Sequence, residues 1–215
     1  MTEEETIPLF PLGIVLFPEL PLPLHIFEER YKIMIKQCLE QKKEFGVVYG
    51  RDNQIHRVGC TATILRVLKR YEDGRMDILA QGTRKFEIKE IHDEKKYLQA
   101  QVTFVEDEIE HESEHLIILA KEGVDLLKKL DRLTINKYDL KFMEKLDIKI
   151  ISYIISGIGG FTMKEKQKFL EMTSTAERLK HSVESLKNLV ERVKMENYIQ
   201  NLNRKDSNFR NFSNN

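Results

Sequence analysis

The chain has 215 residues, enough to bury a sizeable core, and we expect one compact unit of two subdomains with no spare length for a catalytic domain. Basic and acidic residues number 35 each, so no net charge attracts the molecule to nucleic acid or anionic lipid. The acidic start, the two isolated cysteines Cys38 and Cys60, and the lack of an apolar run of about 18 residues predict a cytoplasmic protein outside the membrane.

Residues 7–24 are apolar and rich in proline. All five prolines of the chain lie between Pro8 and Pro23, where they alternate with aliphatic and phenylalanine side chains. Each proline ring removes an amide donor and biases the preceding residue toward extended geometry, so the segment is not helical. We therefore predict a kinked, extended strand that packs into the core.

A change of period after this segment predicts one amphipathic helix. Phe27, Tyr31, Met34 and Cys38 recur at spacings of three and four residues, and charged residues occupy the other face. Two segments rich in β-branched residues follow and are predicted strands, at 45–50 and 58–68.

A hairpin and two shorter strands complete the predicted sheet. Asp73 and Gly74 precede the alternating segment 76–80 and are typical of a type I′ turn, in which both central residues have positive φ. Residues 86–88 and 98–104 have the composition of two more short strands. Five or six short strands around one helix favour a small, partly closed antiparallel barrel that ends near Val105.

The composition changes abruptly after the predicted barrel. Residues 106–114 include six acids, and the rest of the chain is patterned at helical spacing. Helices are predicted at 116–130, 148–155 and 163–172. The glycine-rich stretch 156–160 ends the second of these.

The last predicted helix carries an apolar seam with alternating spacings of four and three residues, formed by Leu179, Val183, Leu186, Val190 and Val193. Ser174 and Glu177 have the spacing of a capping box at its start. The seam fits packing on the earlier helices or a homodimer, and we favour packing because the seam is shorter than three heptads. The predicted organisation is α+β, with a β-barrel subdomain at 1–105, an α-helical subdomain at 106–205 and a disordered tail at 206–215.

An ordered series of short motifs runs through most of the chain. It comprises Pro8-Leu9, Val15-Leu16-Phe17-Pro18, Leu22-Pro23-Leu24, Val58-Gly59, Asp73-Gly74-Arg75, Gly82-Thr83-Arg84-Lys85-Phe86, Lys166-Gln167-Lys168-Phe169-Leu170-Glu171 and Glu177-Arg178-Leu179. This series resembles the N-terminal, substrate-binding domain of Lon-type proteases and covers residues 7 to about 200.

The resemblance implies a PUA-like antiparallel β pseudo-barrel followed by an α-helical bundle with a long last helix. It also implies a non-catalytic module that binds unfolded or tagged polypeptides, with a role in protein quality control and a separate ATP-dependent protease as partner. Neither a cofactor nor a metal is expected, and the sequence has no G-x-x-x-x-G-K-[ST] loop for ATP.

Two functions of other classes remain as alternatives. His111, Glu112 and His115 spell H-E-x-x-H, the motif of zinc hydrolases, but a charge at Glu114 and the acidic surroundings favour a solvated helix start. RNA binding is suggested by analogy with other PUA-like folds, and the neutral composition argues against it.

The candidate polypeptide-binding residues are Phe27, Arg30 and Tyr31. They open the first helix directly after the proline-rich strand, where a turn of the chain can leave an aromatic ring exposed, although Phe27 and Tyr31 also fit an ordinary core. Pairing of a bound segment with a strand edge is one predicted mode of binding. The basic residues of 164–180, including Lys166 and Arg178, are interpreted as a solvated face.

Overall fold

The computed structural model describes residues 4–51, 54–111, 113–134, 143, 145–158 and 160–212. Seven strands come first, with one helix between the second and third. The strands are β1 (Glu4–Leu12), β2 (Pro21–Ile26), β3 (Phe45–Arg51), β4 (Gln54–Ile55), β5 (Val58–Arg70), β6 (Met76–His92) and β7 (Gln99–Val105). The helices are α1 (Glu29–Gln41), α2 (Glu114–Leu133), α3 (Ile148–Ile158), α4 (Met163–Glu171) and α5 (Thr175–Phe212). The α+β prediction is confirmed.

The sheet closes on itself through β1. Its strand order is β1-β7-β6-β5-β3-β4, and β1 also pairs with β3, which completes a ring of five strands. The β1–β3 pairing is parallel, with Leu9 opposite Gly46, while the other pairings are antiparallel. The barrel is therefore more completely closed than the sequence predicted, because the proline-rich first strand joins two others.

The hairpin at Asp73 and Gly74 is confirmed, but the predicted turn type is wrong. Gly74 alone of the two has positive φ, at 82°. The amide of Gly74 donates to the carbonyl of Tyr71 over 3.0 Å, and the amide of Tyr71 donates to Arg75 over 2.9 Å. This is the pattern of a type I turn followed by a glycine in the left-handed region.

The strands after this hairpin also differ from the prediction. The segments 76–80 and 86–88 form one strand, β6, which crosses the whole barrel instead of two short strands. Its first half pairs with β2, its second half pairs with β7, and β5 lies along its other edge. One long shared strand therefore joins both halves of the barrel.

The helices agree with the sequence pattern in number and order among the described residues. Helix α3 continues to Ile158, beyond its predicted end at residue 155 and into the glycine-rich stretch that was predicted to break it. Helix α5 continues to Phe212, past residue 206 where the tail was predicted to begin. The seam from Leu179 to Val190 is buried against the earlier helices, as the packing interpretation requires.

The helical bundle and the barrel share the segment that links β1 to β2. Phe17 is fully buried in the bundle core, and its ring lies 6.3 Å from that of Tyr153 on α3. The barrel core lies on the other side of this segment, beneath α1. The proline-rich segment therefore belongs to both subdomains and fixes one against the other.

Candidate functional site: an aromatic surface and a buried junction

Phe27 lies at the surface, between the end of β2 and the start of α1. Phe27 is 59 % exposed, which is unusual for a phenylalanine. The ring stacks on His25, with the two centroids 6.0 Å apart. Of the two placements that the sequence left open for Phe27, surface or core, the structure shows the surface.

Arg30 is also at the surface, on the first turn of α1. Its Nε donates to the carboxylate of Glu28 over 2.9 Å, and its guanidinium lies 4.6 Å from the centre of the Tyr31 ring. The side chain is therefore oriented by two neighbours and still half exposed.

Tyr31 differs from the other two candidates because it belongs to the barrel core. It is 7 % exposed, and its ring stacks on Phe10 with centroids 4.0 Å apart. Burial raises the pKa of its hydroxyl. The structure thus brings Phe27 and Arg30 to the surface and places Tyr31 in the core, beneath the Arg30 guanidinium.

Further residues extend this surface along the tip of the β5–β6 hairpin. Tyr71 meets the His25 ring edge to face at 5.8 Å, and Lys69 and Arg75 lie over the Tyr71 ring at 4.5 Å and 5.0 Å. We call His25, Phe27, Lys69, Tyr71 and Arg75 the aromatic surface.

Asp77 fixes the geometry of the aromatic surface. Its carboxylate bonds to His25 Nδ1 over 2.6 Å and accepts from the Tyr71 hydroxyl over 2.9 Å. The hydrogen bond from His25, followed by that from Tyr71, lowers the pKa of Asp77. Sequence reasoning missed Tyr71 and Asp77, although they flank the predicted Asp73-Gly74 turn of one hairpin.

A second cluster of functional groups is buried where the barrel meets the bundle. Asp107, just after β7, forms an ion pair with Lys85 of β6 and accepts from Arg178 of α5 over 2.5 Å. Tyr153 of α3 donates to the same carboxylate over 2.7 Å. We call Lys85, Asp107, Tyr153 and Arg178 the junction cluster.

The charges of the junction cluster are balanced by one another and by backbone carbonyls. Lys85 and Arg178 both donate to the carbonyl of Met172, over 2.7 Å and 2.9 Å. Burial alone would raise the pKa of Asp107, but Arg178 and Lys85 together hold it below its ordinary value. Burial lowers the pKa of Lys85, which Asp107 partly opposes.

The interpretation of the basic residues of 164–180 as a solvated face is wrong for Arg178 and Lys166. Arg178 is fully buried in the junction cluster. Lys166 is half buried and donates to the carbonyl of Gly157. Helical spacing does not distinguish these side chains from their exposed neighbours, because the partner groups lie on other elements.

The H-E-x-x-H string does not form the helical face that a zinc hydrolase needs. Helix α2 begins at Glu114, and its N-cap Ser113 accepts from the amide of Leu116 over 3.2 Å. His111 precedes the helix, so it does not share a turn with His115, and both are exposed. Glu112 lies outside the described residues. Within the described ranges, no group of three metal-binding side chains converges.

The described helices include none that combines the length and apolar character needed to cross a membrane.

Comparison with protein families finds a match over residues 6–188 to the ATP-dependent protease La (LON) substrate-binding domain. The chain is 28 % identical over 218 aligned positions to the Lon protease of Flavobacterium johnsoniae, covering 93 % of this chain and 26 % of that protein. It is 29 % identical over 190 positions to the Lon protease of Parabacteroides distasonis, covering 81 % of this chain and 23 % of that protein. The chain thus spans about a quarter of the length of these relatives.

Two solved structures have the same fold. A Lon N-terminal domain protein from Xanthomonas campestris superposes with a TM-score of 0.66 at 20 % identity, covering 82 % of this chain and 96 % of the other. The N-terminal domain of a Mycobacterium avium complex Lon protease gives a TM-score of 0.68 at 18 % identity, with coverage of 85 % and 98 %. With a family match over most of its length, this chain belongs to the Lon substrate-binding domain family.

Proposed function

We propose that this chain is a non-catalytic module that binds unfolded or tagged polypeptide segments, and that the aromatic surface with Arg30 makes the contact. The observation that carries the proposal is the exposed Phe27 ring, which is held in place by His25 and the β2 strand. An exposed apolar ring that already stacks on a neighbour loses little conformational entropy when a partner covers it.

Basic groups over the rings of Tyr31 and Tyr71 complement this apolar contact. Arg30, Lys69 and Arg75 place three guanidinium or ammonium groups near aromatic rings, where they can meet peptide carbonyls and carboxylates. Unfolded segments expose apolar side chains beside backbone carbonyls, so a mixed aromatic and basic surface fits them. The three residues predicted from the sequence thus become two contact residues, Phe27 and Arg30, and one supporting residue, Tyr31.

The experiment measures binding of a reduced and alkylated model protein by fluorescence anisotropy. Phe27→Ala and Arg30→Ala should each weaken binding about tenfold, the range for loss of an aromatic or arginine anchor. Ile118→Ala is the matched control, because Ile118 is an equally exposed apolar residue on α2, outside the aromatic surface. Unchanged binding by folded Phe27→Ala and Arg30→Ala proteins would show that this placement is wrong.

We propose that the bound segments are passed to an ATP-dependent protease in protein quality control. Support comes from the family and from the relatives, which are Lon proteases. A pull-down from native lysate with the wild-type chain should recover such a protease together with non-native proteins. Loss of the non-native proteins, but not of the protease, with Phe27→Ala would separate client binding from protease binding.

We further propose a reducing, cytoplasmic setting. Cys38 and Cys60 are both buried and free, and burial raises the pKa of the Cys38 thiol to about 11. Buried unpaired thiols suit a compartment that keeps cysteine reduced.

Self-association through α5 is proposed as a property of the intact chain. Beyond the buried seam, Met195, Tyr198, Ile199 and Leu202 are exposed at spacings of three and four and so share one helix face. Sedimentation equilibrium should show a dimer that Tyr198→Glu with Ile199→Glu abolishes and that the control Gln200→Glu retains. A monomer at all concentrations for the wild-type chain would contradict the proposal.

A further inference from the structure

The second half of β5 is a strand with one unpaired edge. Residues 63–70 pair with β6 on one side, while pairing with β3 on the other side ends at Ala62. Among the described residues, no hydrogen bond reaches the outer backbone groups of this segment. Its residues are exposed or half buried, so these groups face water, as unpaired backbone amides must.

The direction of the free amides follows from the prolines of β2. Pro21 and Pro23 cannot donate, so the hydrogen-bonded pairs between β2 and β6 are those made by Leu22, Leu24 and Ile26. The intervening residues of β6 therefore turn their amides toward β5, where they pair with Thr63, Arg66 and Lys69. The amides of Ile64, Val67 and Arg70 are then left on the open edge.

The same prolines make the outer edge of β2 a poor site for strand pairing. Of the positions whose backbone groups face outward on β2, residues 21 and 23 are prolines, so His25 alone retains an amide. The β5 edge contains no proline and can both donate and accept.

Two β-bulges give the β5 edge its side-chain chemistry. The register with β6 shifts between Ile64 and Arg66 and again between Val67 and Lys69, so Leu65 and Leu68 are the extra residues. Their side chains are 52 % and 51 % exposed. The pattern becomes three residues long: Ile64 and Val67 pack inward, and each is followed by an exposed leucine and an exposed base.

The charge of this edge is positive. Arg66, Lys69 and Arg70 are exposed, and within the described residues no carboxylate forms an ion pair with any of them. Lys69 also lies over Tyr71, so the edge leads directly into the aromatic surface. A bound chain could therefore contact both.

We propose that the Ile64–Arg70 edge of β5 captures an extended polypeptide segment with alternating apolar and acidic side chains, which pairs as an additional strand. This inference rests on the proposed function and specifies the class of segment and its mode of binding. Main-chain pairing would supply affinity for many sequences, while Leu65 and Leu68 with the three basic residues would favour acidic, apolar segments.

The probe is a fluorescent peptide of about ten residues, the length of a long strand, with alternating valine and glutamate. Two further peptides serve as comparisons: one with lysine in place of glutamate, and one with an N-methyl group at every residue, which removes the main-chain donors of both strand edges without changing the charge. The wild-type chain should bind the acidic peptide about tenfold more tightly than either comparison peptide. Equal affinity for the acidic and N-methylated peptides would overturn strand pairing.

Charge reversal tests the edge itself. Arg66→Glu with Arg70→Glu should weaken binding of the acidic peptide about tenfold and improve binding of the lysine peptide. Lys164→Glu with Lys168→Glu on the exposed face of α4 is the matched control and should change neither affinity by more than about twofold. Unchanged binding by the β5 variant would overturn the assignment to this edge.

The outcome can be separated from that of the proposed function. If the reduced and alkylated protein binds and this binding depends on Phe27, while the acidic peptide does not bind, then the proposal for the β5 edge is wrong and the proposed function stands. If the wild-type chain binds neither probe, both fail.

Discussion

Arg178 donates to Asp107 over 2.5 Å across the boundary between helical bundle and barrel, and both side chains are fully shielded from water. One residue stands at the start of α5 and the other directly after β7. Asp107 also forms an ion pair with Lys85 of β6, so this carboxylate links the bundle to the barrel through charge interactions that neither completes alone.

Removing one partner of this pair should destabilise the whole chain. Arg178→Met leaves the Asp107 carboxylate buried without its main partner, and the expected loss is about 3–5 kcal/mol of unfolding free energy. Urea unfolding followed by circular dichroism measures it. Arg192→Met, at an exposed pair with Glu196, is the control and should cost less than about 1 kcal/mol. A loss for Arg178→Met no larger than that of the control would contradict the role of the pair.

The same pair predicts how stability depends on pH. The folded state lowers the pKa of Asp107, so its stabilisation is present above the unfolded pKa, near 3.8, and is lost as the pH falls toward the folded value. The urea midpoint should therefore fall steeply below about pH 4. In Asp107→Asn the urea midpoint should fall less steeply below pH 4, although the variant is less stable at neutral pH. The same dependence of the urea midpoint on pH in both proteins would assign the acid sensitivity to other carboxylates.

The barrel and bundle could be predicted from the sequence because their patterns are local. The prolines excluded a helix from the first 24 residues. After Val105 the spacing of apolar residues changes from alternation to intervals of three and four, which marked the helical bundle. The junction cluster could not be predicted in the same way. Asp107 is one of six acids in a row of nine residues, and nothing local distinguishes it from the exposed ones. Its burial depends on where β7 ends relative to α5.

The candidate site was predicted in part for a similar reason. Phe27 and Tyr31 share one helical spacing, but helix α1 begins at Glu29, so Phe27 precedes it and does not follow its buried face. The extension of the site to Tyr71 depends on the β2–β6 register, which places His25 opposite Asp77. Long-range register is set by tertiary packing, and composition alone does not provide it.

Gly82 lies in the middle of β6, and its surroundings support a third prediction. The chain turns at Glu19, whose amide donates to the Gly82 carbonyl over 2.9 Å, so the backbone of Phe17 lies directly on this glycine. A Cβ at position 82 would lie 2.1 Å from the Phe17 carbonyl oxygen. Gly82→Ala should therefore cost more than about 2 kcal/mol of unfolding free energy, since backbone must move.

Gly13→Ala is the matched control for this substitution. Gly13 lies in the connection between β1 and β2, which also contains Phe17. A Cβ at position 13 would meet no atom within 4 Å. Its unfolding free energy should stay within about 1 kcal/mol of the wild-type value. Equal effects of the two substitutions in urea unfolding would show that the contact between Gly82 and Phe17 does not constrain the barrel.

The two thiols provide a measure of how tightly the barrel core is closed. Cys60 is fully buried between β3 and β6, and burial raises its pKa far above that of a free cysteine. Cys38 lies on the buried face of α1, where burial raises the pKa of its thiol to about 11. Because the thiolate is the reactive form, alkylation at pH 8 should be at least about a hundredfold slower in the folded chain than in urea.

Mass spectrometry should also show that Cys38 reacts before Cys60. Helix α1 packs on the barrel through side chains alone, so it can separate from the barrel without breaking the sheet. Cys60 is released only when the pairings of its strand open. Reaction of Cys60 first, or of both thiols at the rate found in urea, would contradict a barrel core closed by β1 and β3.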